Sequence, residues 1–217
     1  MIEREEIQEL VKSYKEPICL NLGSHSALDA WQGQRNYGLR SILYTTKARA
    51  RIYLQNPMVG DPGEEILDLP ETVSRDLIVV DDPADINKNG SWKAAIIILD
   101  KYPDIVKYVD ELVELECIQI PNRAFSVYIG GDEYCSVIEK DFAIPIMGSR
   151  RLLKIENRGE IERDYYWFAE KAGIPFPKSY KYEVYKNGIR FKEYIDEPLL
   201  LKAEHAFREY EREFIFA

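Results

Sequence analysis

Residues 17–28 read PICLNLGSHSAL, and this stretch decides the fold class. An apolar strand at 18–22 runs directly into Gly23, and a helix is predicted from residue 27. In an open α/β sheet, ligands bind at such strand-to-helix corners, outside the carboxyl ends of the strands. Gly23 permits a sharp turn because it has no Cβ. The stretch therefore predicts an α/β fold with a binding corner at its first strand.

The corner supplies the first candidate binding residues, which are Gly23, Ser24, His25 and Ser26. Ser24 or Ser26 can cap the helix. The N–H groups at a helix start suit a phosphate or a carboxylate, and His25 can hydrogen-bond the same ligand. An ordinary turn with a capping serine explains the same residues, so both interpretations stay open here.

The composition argues against several classes of protein. The net charge is −9, so the chain has no positive footprint for nucleic acid. No apolar run approaches the ~20 residues that span a bilayer. The amino-terminal 16 residues form a charged amphipathic pattern, unlike a signal peptide. We therefore predict no nucleic-acid partner and no membrane segment.

The three cysteines, Cys19, Cys117 and Cys135, are odd in number and lack metal-ligand spacing among themselves and with the two histidines. Cys19 and Cys117 fall inside apolar strands, which predicts buried free thiols. We therefore predict a protein of the reducing cytoplasm, without a metal site in this chain.

The apolar pattern predicts an open, mostly parallel sheet flanked by helices. Strands are predicted at 18–22, 41–45, 77–80, 92–99, 117–120 and 145–147, and helices at 2–15, 27–37 and 102–114. The run AAIIIL at 94–99 is typical of a strand buried on both faces. Residues 47–64 and 81–91 are predicted to be irregular.

A change of pattern near residue 150 predicts a second domain. A charged helix is predicted at 150–172, followed by Gly173, Pro175 and Pro177. A strand, or a hairpin with a turn at 187–188, is predicted at 182–194, and a strand PLLLK at 198–202 and a last strand from 213 follow. We therefore predict a substrate-binding domain at 1–150, a connecting helix and linker at 151–178, and a partial domain at 179–217.

Two further corners supply candidate ligand-binding residues. Segment 121–128, PNRAFSVY, follows a strand and contributes Asn122, Arg123 and Ser126. A surface loop with one solvated arginine explains it equally well. Segment 148–151, GSRR, follows another predicted strand and contributes Gly148, Arg150 and Arg151. An anion at the helix start would offset the repulsion between these cations and the helix dipole, but paired arginines are also common on surface helices.

Lys202 ends the predicted strand PLLLK. A lysine in that position can contact a nucleotide phosphate as a point charge. A solvated lysine at the end of a strand is the alternative interpretation.

Four segments resemble the archaeal PurP family in order and spacing: GSHSALDAWQGQRNYGL, IQIPNRAFSVYIG, IPIMGSRRLLKIENR and ERDYYWFAEKAGIPFPK. The resemblance implies an N-terminal α/β domain of the pre-ATP-grasp type, followed by the start of an ATP-grasp domain. It implies a purine-biosynthesis ligase that uses ATP, Mg²⁺ and formate to formylate aminoimidazole carboxamide ribonucleotide. It also implies a homo-oligomer, because the family tends to oligomerise.

The resemblance assigns a role to each corner. Residues 23–26 match the first substrate-binding loop, residues 122–126 the second, and residues 148–151 a third substrate corner. Lys202 matches a lysine that contacts ATP. No catalytic residue and no metal ligand is assigned within this chain.

Three departures from the family pattern keep other hypotheses open. Arg123 stands where many members have glycine, and Ala124 where they have serine. The charged segment after Lys202 replaces a glycine-rich loop. The sequence also stops before the acidic residues expected to hold magnesium.

The second hypothesis is a non-catalytic ribonucleotide-binding module, or a degenerate paralogue acting as a subunit of a complete enzyme. A plain α/β scaffold is the third.

Overall fold

A five-stranded parallel sheet forms the centre of the first of two units. The computed structural model describes residues 2–24, 26–54, 77–122, 125–130, 134–150, 153, 163–176, 182–185, 188–192 and 194–196. The units are Met1–Leu153 and Lys154–Ala217, and each is described by itself. The sheet order is β3-β4-β2-β1-β5, with strands β1 (Ile18–Leu22), β2 (Ser41–Thr46), β3 (Leu77–Val80), β4 (Ala94–Leu99) and β5 (Cys117–Ile120).

Helices cover both faces of this sheet. They are α1 (Arg4–Ser13), α2 (Ala27–Asn36), α3 (Lys47–Leu54), α4 (Val109–Glu114), α5 (Phe125–Gly130) and α6 (Tyr134–Lys140), with 3₁₀ helices at Pro83–Asp85 and Tyr102–Tyr108. Alternate strand residues pack into two apolar clusters, one with α2 and α3 and the other with α5 and α6. The predicted parallel sheet flanked by helices is therefore confirmed for this unit.

The strand order creates a crevice beside β1. The chain first builds β2, β3 and β4 on one side of β1, then places β5 on the other side. All of these pairs are parallel, so the carboxyl ends of β1 and β5 lie at one edge. Ligands of open α/β sheets bind where the strand order reverses in this way. The fold thus singles out the residues that follow β1 and β5.

The structure corrects several sequence predictions. Residues 47–54 were expected to be irregular but form α3, whose buried residues include Ala50 and Tyr53. The strand expected at 145–147 is a single parallel bridge between Gln119 and Ile146. The first half of the helix expected at 102–114 is a 3₁₀ helix, which has Pro103 in its first turn. Cys117 is buried as predicted, but Cys19 is only half-buried.

The second unit is described in parts. Helix α7 (Tyr165–Lys171) begins at Asp164, whose side chain accepts a hydrogen bond from the Trp167 N–H at 3.0 Å. Strands β6 (Tyr182–Tyr185) and β7 (Gly188–Phe191) form an antiparallel hairpin, one of the two predicted alternatives, but Gly188 pairs with Tyr185 as the first residue of β7 rather than lying in the turn. The strands predicted at 198–202 and from 213 lie outside the described residues, so the ATP-grasp continuation stays a prediction.

Within the described residues, no helix combines the length and the apolar character needed to cross a membrane.

Candidate functional site

Gly23 is required at the end of β1 because the neighbouring strand approaches closely. A Cβ on this residue would lie 2.7 Å from Cβ of Thr45 and 2.8 Å from Cδ2 of Leu43. The Gly23 N–H donates to the Tyr44 carbonyl at 2.8 Å, which holds the residue against β2. The sequence predicted glycine for a sharp turn, whereas the structure shows that close packing demands it.

The two serines of this corner do not cap α2 with their side chains. Ser26 occupies the N-cap position with φ 65°, and its side chain makes no capping hydrogen bond. The Ser24 carbonyl accepts the Ala27 N–H at 3.1 Å and the Tyr53 hydroxyl at 3.3 Å. The Ser24 hydroxyl is buried and has no hydrogen-bond partner among the described residues. Such a group is costly without a partner, and a ligand at this corner is one source of a partner. His25 lies outside the described residues.

Tyr102 fixes the corner from the other face of the sheet. Its ring is buried, and its hydroxyl donates to the Gly23 carbonyl. The Thr45 hydroxyl donates to the same carbonyl at 3.4 Å. Tyr102 follows the carboxyl end of β4, so residues from β2 and from the segment after β4 both hold the turn after β1. A turn fixed in this way is preorganised for binding.

Asn122 joins the second predicted loop to the first. Its side-chain amide donates to the Leu22 carbonyl, the last residue of β1, at 2.7 Å. The Asn122 carbonyl accepts the Phe125 N–H at 3.1 Å, which starts α5. Ser126 is buried in the first turn of that helix rather than in a surface loop. The structure therefore brings Asn122 to the Gly23 corner, while Arg123 lies outside the described residues.

The third corner shows a different use of its arginine. The Arg150 guanidinium donates to three backbone carbonyls, those of Ile138 at 2.5 Å, Phe142 at 2.7 Å and Ile144 at 2.5 Å. Burial lowers the pKa of Arg150 to about 10. These bonds tie α6 to the segment after it. A phosphate contact by Arg150 stays a prediction.

Gly148 of the same corner adopts φ 97°, a left-handed conformation that favours glycine. No neighbour would lie within 4 Å of a Cβ there, so its requirement is conformational rather than steric. Arg151 lies outside the described residues.

The sequence analysis did not identify Arg49, a cation at the carboxyl edge of the sheet. It lies in α3, directly after β2, and its Nη2 donates to the Tyr128 hydroxyl at 3.1 Å. The guanidinium carbon lies 5.2 Å from the Tyr128 ring centroid and 6.0 Å from that of Tyr102. A signal existed, because basic residues follow the carboxyl end of a predicted strand in the sequence KARAR.

A buried polar pair lies within the sheet. The Tyr44 hydroxyl donates to Oε1 of Gln119 at 3.1 Å, and Nε2 of Gln119 donates to the Ile120 carbonyl at 2.9 Å. Both side chains are fully buried. Burial raises the pKa of Tyr44, so its hydroxyl stays protonated and acts as a donor.

The described residues contain no group of three or more His, Cys, Asp or Glu side chains suited to a metal ion. Lys202, assigned to ATP by resemblance, lies outside them.

Comparison with known proteins connects this site to a family. The sequence model of a family described as "Protein of unknown function (DUF1246)" matches residues 19–180. That range includes all but the first residue of β1, both loops at the crevice and the Gly148 corner.

Curated archaeal relatives share one name, 5-formaminoimidazole-4-carboxamide-1-(beta)-D-ribofuranosyl 5'-monophosphate synthetase. The Methanopyrus kandleri protein is 27% identical over 93% of this chain and 44% of its own length. The Methanothermobacter thermautotrophicus protein is 28% identical over 82% of this chain and 39% of its own length. The Korarchaeum cryptofilum protein is 27% identical over 95% of this chain and 44% of its own length. The chain thus spans less than half the length of these relatives.

These names and the family match confirm the resemblance to PurP that the sequence motifs indicate. Because the match covers residues 19–180, which is most of the chain, this protein belongs to the family described as DUF1246.

Proposed function

We propose that this chain is the substrate-binding part of a PurP-type purine-biosynthesis ligase. One observation supports this most directly: Asn122, after β5, bonds to the end of β1 beside Gly23 and Ser24. This is the crevice where open α/β sheets bind their ligands. The names of the relatives supply the ligand class, a ribonucleotide monophosphate.

The proposed reaction formylates the amine of aminoimidazole carboxamide ribonucleotide. When bound, ATP with Mg²⁺ would supply the phosphoryl group that activates formate as formyl phosphate, and ADP would leave. The amine then forms a bond to the formyl carbon, and inorganic phosphate leaves while the amine loses a proton. This chemistry demands positioning and electrostatic stabilisation more than a protein nucleophile.

Within this scheme the chain's own residues bind and orient the ribonucleotide. The fixed Gly23 turn, the buried Ser24 hydroxyl and Asn122 hold one side of it, and we assign His25 to a hydrogen bond with it. Arg123, Ser126 and the 148–151 corner remain proposed contacts, as does Lys202 for ATP. The described residues contain no group that we assign to magnesium.

A second candidate is a non-catalytic ribonucleotide-binding module or a subunit of a complete enzyme. Arg123 and Ala124 replace the glycine and serine that many members carry in the second loop. Both candidates predict ribonucleotide binding, and they differ in turnover. Formylated product from this chain with ATP, Mg²⁺ and formate would exclude the second candidate.

The first experiment is calorimetric titration of the 217-residue chain with aminoimidazole carboxamide ribonucleotide. We expect binding without ATP, and a loss of about tenfold in affinity for His25→Ala, since one hydrogen bond to the ribonucleotide is removed. His205→Ala is the matched control and should bind as the unmodified chain does. Unchanged affinity in His25→Ala would contradict the site assignment. A chain that binds no ribonucleotide would contradict the proposed function.

We also propose a homo-oligomer in the reducing cytoplasm, on the grounds of the family resemblance and of the free thiols Cys19 and Cys117. Size-exclusion chromatography with light scattering tests the first part.

A further inference from the structure

Arg49 is held at the carboxyl edge of the sheet by two tyrosines from different elements. It lies in the first turn of α3, Tyr102 begins the 3₁₀ helix after β4, and Tyr128 belongs to α5 after β5. Each of these elements follows the carboxyl end of a parallel strand, so the three side chains meet at the same edge as the Gly23 turn. Tyr102 connects the Gly23 turn with Tyr128. Its hydroxyl donates to the Gly23 carbonyl, and its ring centroid lies 4.9 Å from that of Tyr128.

The charge of Arg49 is not neutralised by a carboxylate within the described part of the chain. Its side-chain hydrogen bond goes to a neutral hydroxyl, that of Tyr128, and its flat face lies near aromatic rings. Partial burial alone would lower the pKa of this guanidinium, but the hydrogen bond to Tyr128 and the neighbouring Tyr102 outweigh it and raise the pKa, so Arg49 stays positively charged without a carboxylate beside it. Such an arrangement favours an anion that binds beside it.

Three other cations of the described residues are already engaged. Lys107 forms an ion pair with Asp104 at 2.6 Å. Arg150 donates to backbone carbonyls. Arg40 precedes β2 at the opposite edge, where its guanidinium stacks 3.9 Å from the Trp92 ring centroid and donates to the Lys88 carbonyl. Arg49 alone among these four combines the carboxyl edge with an uncompensated charge.

We propose that Arg49 binds the 5'-phosphate of the ribonucleotide, with Tyr128 and Tyr102 orienting its guanidinium. This inference rests on the proposed function, because the phosphate belongs to the proposed ligand. A guanidinium presents parallel N–H donors that match two phosphate oxygens. The tyrosines restrict the rotamers of a long side chain, which lowers the entropy lost on binding.

The test compares the ribonucleotide with its nucleoside, which lacks the phosphate, by calorimetric titration of the complete 217-residue chain. For Arg49→Gln we expect ribonucleotide affinity to fall about 10- to 100-fold, as for loss of a charge-assisted hydrogen bond. Nucleoside affinity should stay within about twofold, because its contacts lie elsewhere. Arg51→Gln, two residues along the same helix and exposed, removes the same charge and should change neither affinity.

Arg49→Lys and Tyr128→Phe separate orientation from charge. Both keep a cation at position 49, so each should weaken ribonucleotide binding by a smaller factor than Arg49→Gln and leave nucleoside binding unchanged. Arg49→Lys also keeps the inference testable if Arg49→Gln fails to fold, as judged by circular dichroism.

The outcomes separate this inference from the proposed function. If the unmodified chain binds the ribonucleotide and Arg49→Gln binds it equally well, the inference is wrong and the proposed function stands. Equal losses for ribonucleotide and nucleoside would show a structural role and also overturn it. If the unmodified chain binds neither compound, the proposed function falls, and this inference falls with it.

Discussion

The Tyr102 hydroxyl donates a hydrogen bond to the Gly23 carbonyl across 79 residues of sequence. This bond joins the 3₁₀ helix after β4 to the turn after β1. It fixes the backbone at the corner that we propose for ligand binding, so one buried tyrosine would connect stability with binding.

Removal of this hydroxyl should loosen the Gly23 turn. For Tyr102→Phe we expect the free energy of unfolding to fall by about 1 kcal/mol, since Thr45 remains as a second donor to the same carbonyl. Urea unfolding followed by circular dichroism measures this. Tyr37→Phe, at a side chain that is 86% exposed, is the control and should change nothing. Equal stability of the two variants would show that the Tyr102 bond contributes little.

Gly23 should not tolerate even one added methyl group. The new Cβ of Gly23→Ala would clash with Thr45 and Leu43, and overpacking of this kind costs about 1–3 kcal/mol. Gly33→Ala is the matched control, since nothing lies within 4 Å of its Cβ and α2 is helical there. We expect that control to gain about 0.5–1 kcal/mol, because alanine favours helix. Thermal unfolding of both variants measures the difference, and similar shifts for the two would contradict the packing argument.

Arg150 offers a test of structure against ligand binding. Arg150→Lys loses the planar guanidinium that donates to three carbonyls. We therefore expect the free energy of unfolding to fall by about 1–3 kcal/mol. If the three carbonyl contacts are the whole role of Arg150, ribonucleotide affinity, measured where the variant is fully folded, changes less than about threefold. Arg51→Lys, on an exposed part of α3, serves as the control. A large loss of affinity with unchanged stability would instead support a phosphate contact by Arg150.

Glu116 predicts a dependence of stability on acid pH. Burial alone would raise the pKa of its carboxyl, but Lys88 at 2.7 Å and the N–H groups of Glu16 and Lys15 outweigh it and lower the pKa. Because the folded pKa lies below the ordinary value of 4.5, the stabilisation is present above that pH. It is lost as the pH falls through the folded pKa.

The experiment for Glu116 follows unfolding free energy between pH 7 and acid pH. Glu116→Gln should be less stable at neutral pH by about 1–3 kcal/mol and should lose less stability on acidification than the unmodified chain. Glu114→Gln, an exposed neighbour in α4, should keep the original pH profile. Parallel pH profiles for the unmodified chain and Glu116→Gln would refute this linkage.

The sequence predicted the sheet well because each strand carries its own local signal. Strand β1 has the predicted bounds, since Pro17 and Gly23 flank an apolar run. Helix α3 was missed because charged residues interrupt the apolar spacing of KARARIYL, and packing of Ala50, Tyr53 and Leu54 against the sheet stabilises it.

The candidate site was predictable only in part. Gly23, Asn122 and Gly148 each follow a predicted strand, and this local pattern marked the three corners. Asn122 indeed contacts the end of β1. The Arg49–Tyr128 contact joins residues 79 positions apart, and no local pattern indicates which side chains will meet over that distance. The Arg150 contacts could not be predicted for a different reason. Every residue has a backbone carbonyl, so the sequence does not indicate which carbonyls an arginine will contact.

The place of β1 in the sheet has a consequence for synthesis of the chain. Its two hydrogen-bonding partners emerge at different times, since β2 follows within one helix whereas β5 lies about 100 residues later. During that interval one side of the apolar strand β1 is an open edge, a feature that invites pairing with other chains. A nascent chain stalled before Cys117 should therefore aggregate or recruit chaperones. Once β5 has also emerged, it pairs with β1 and closes the edge.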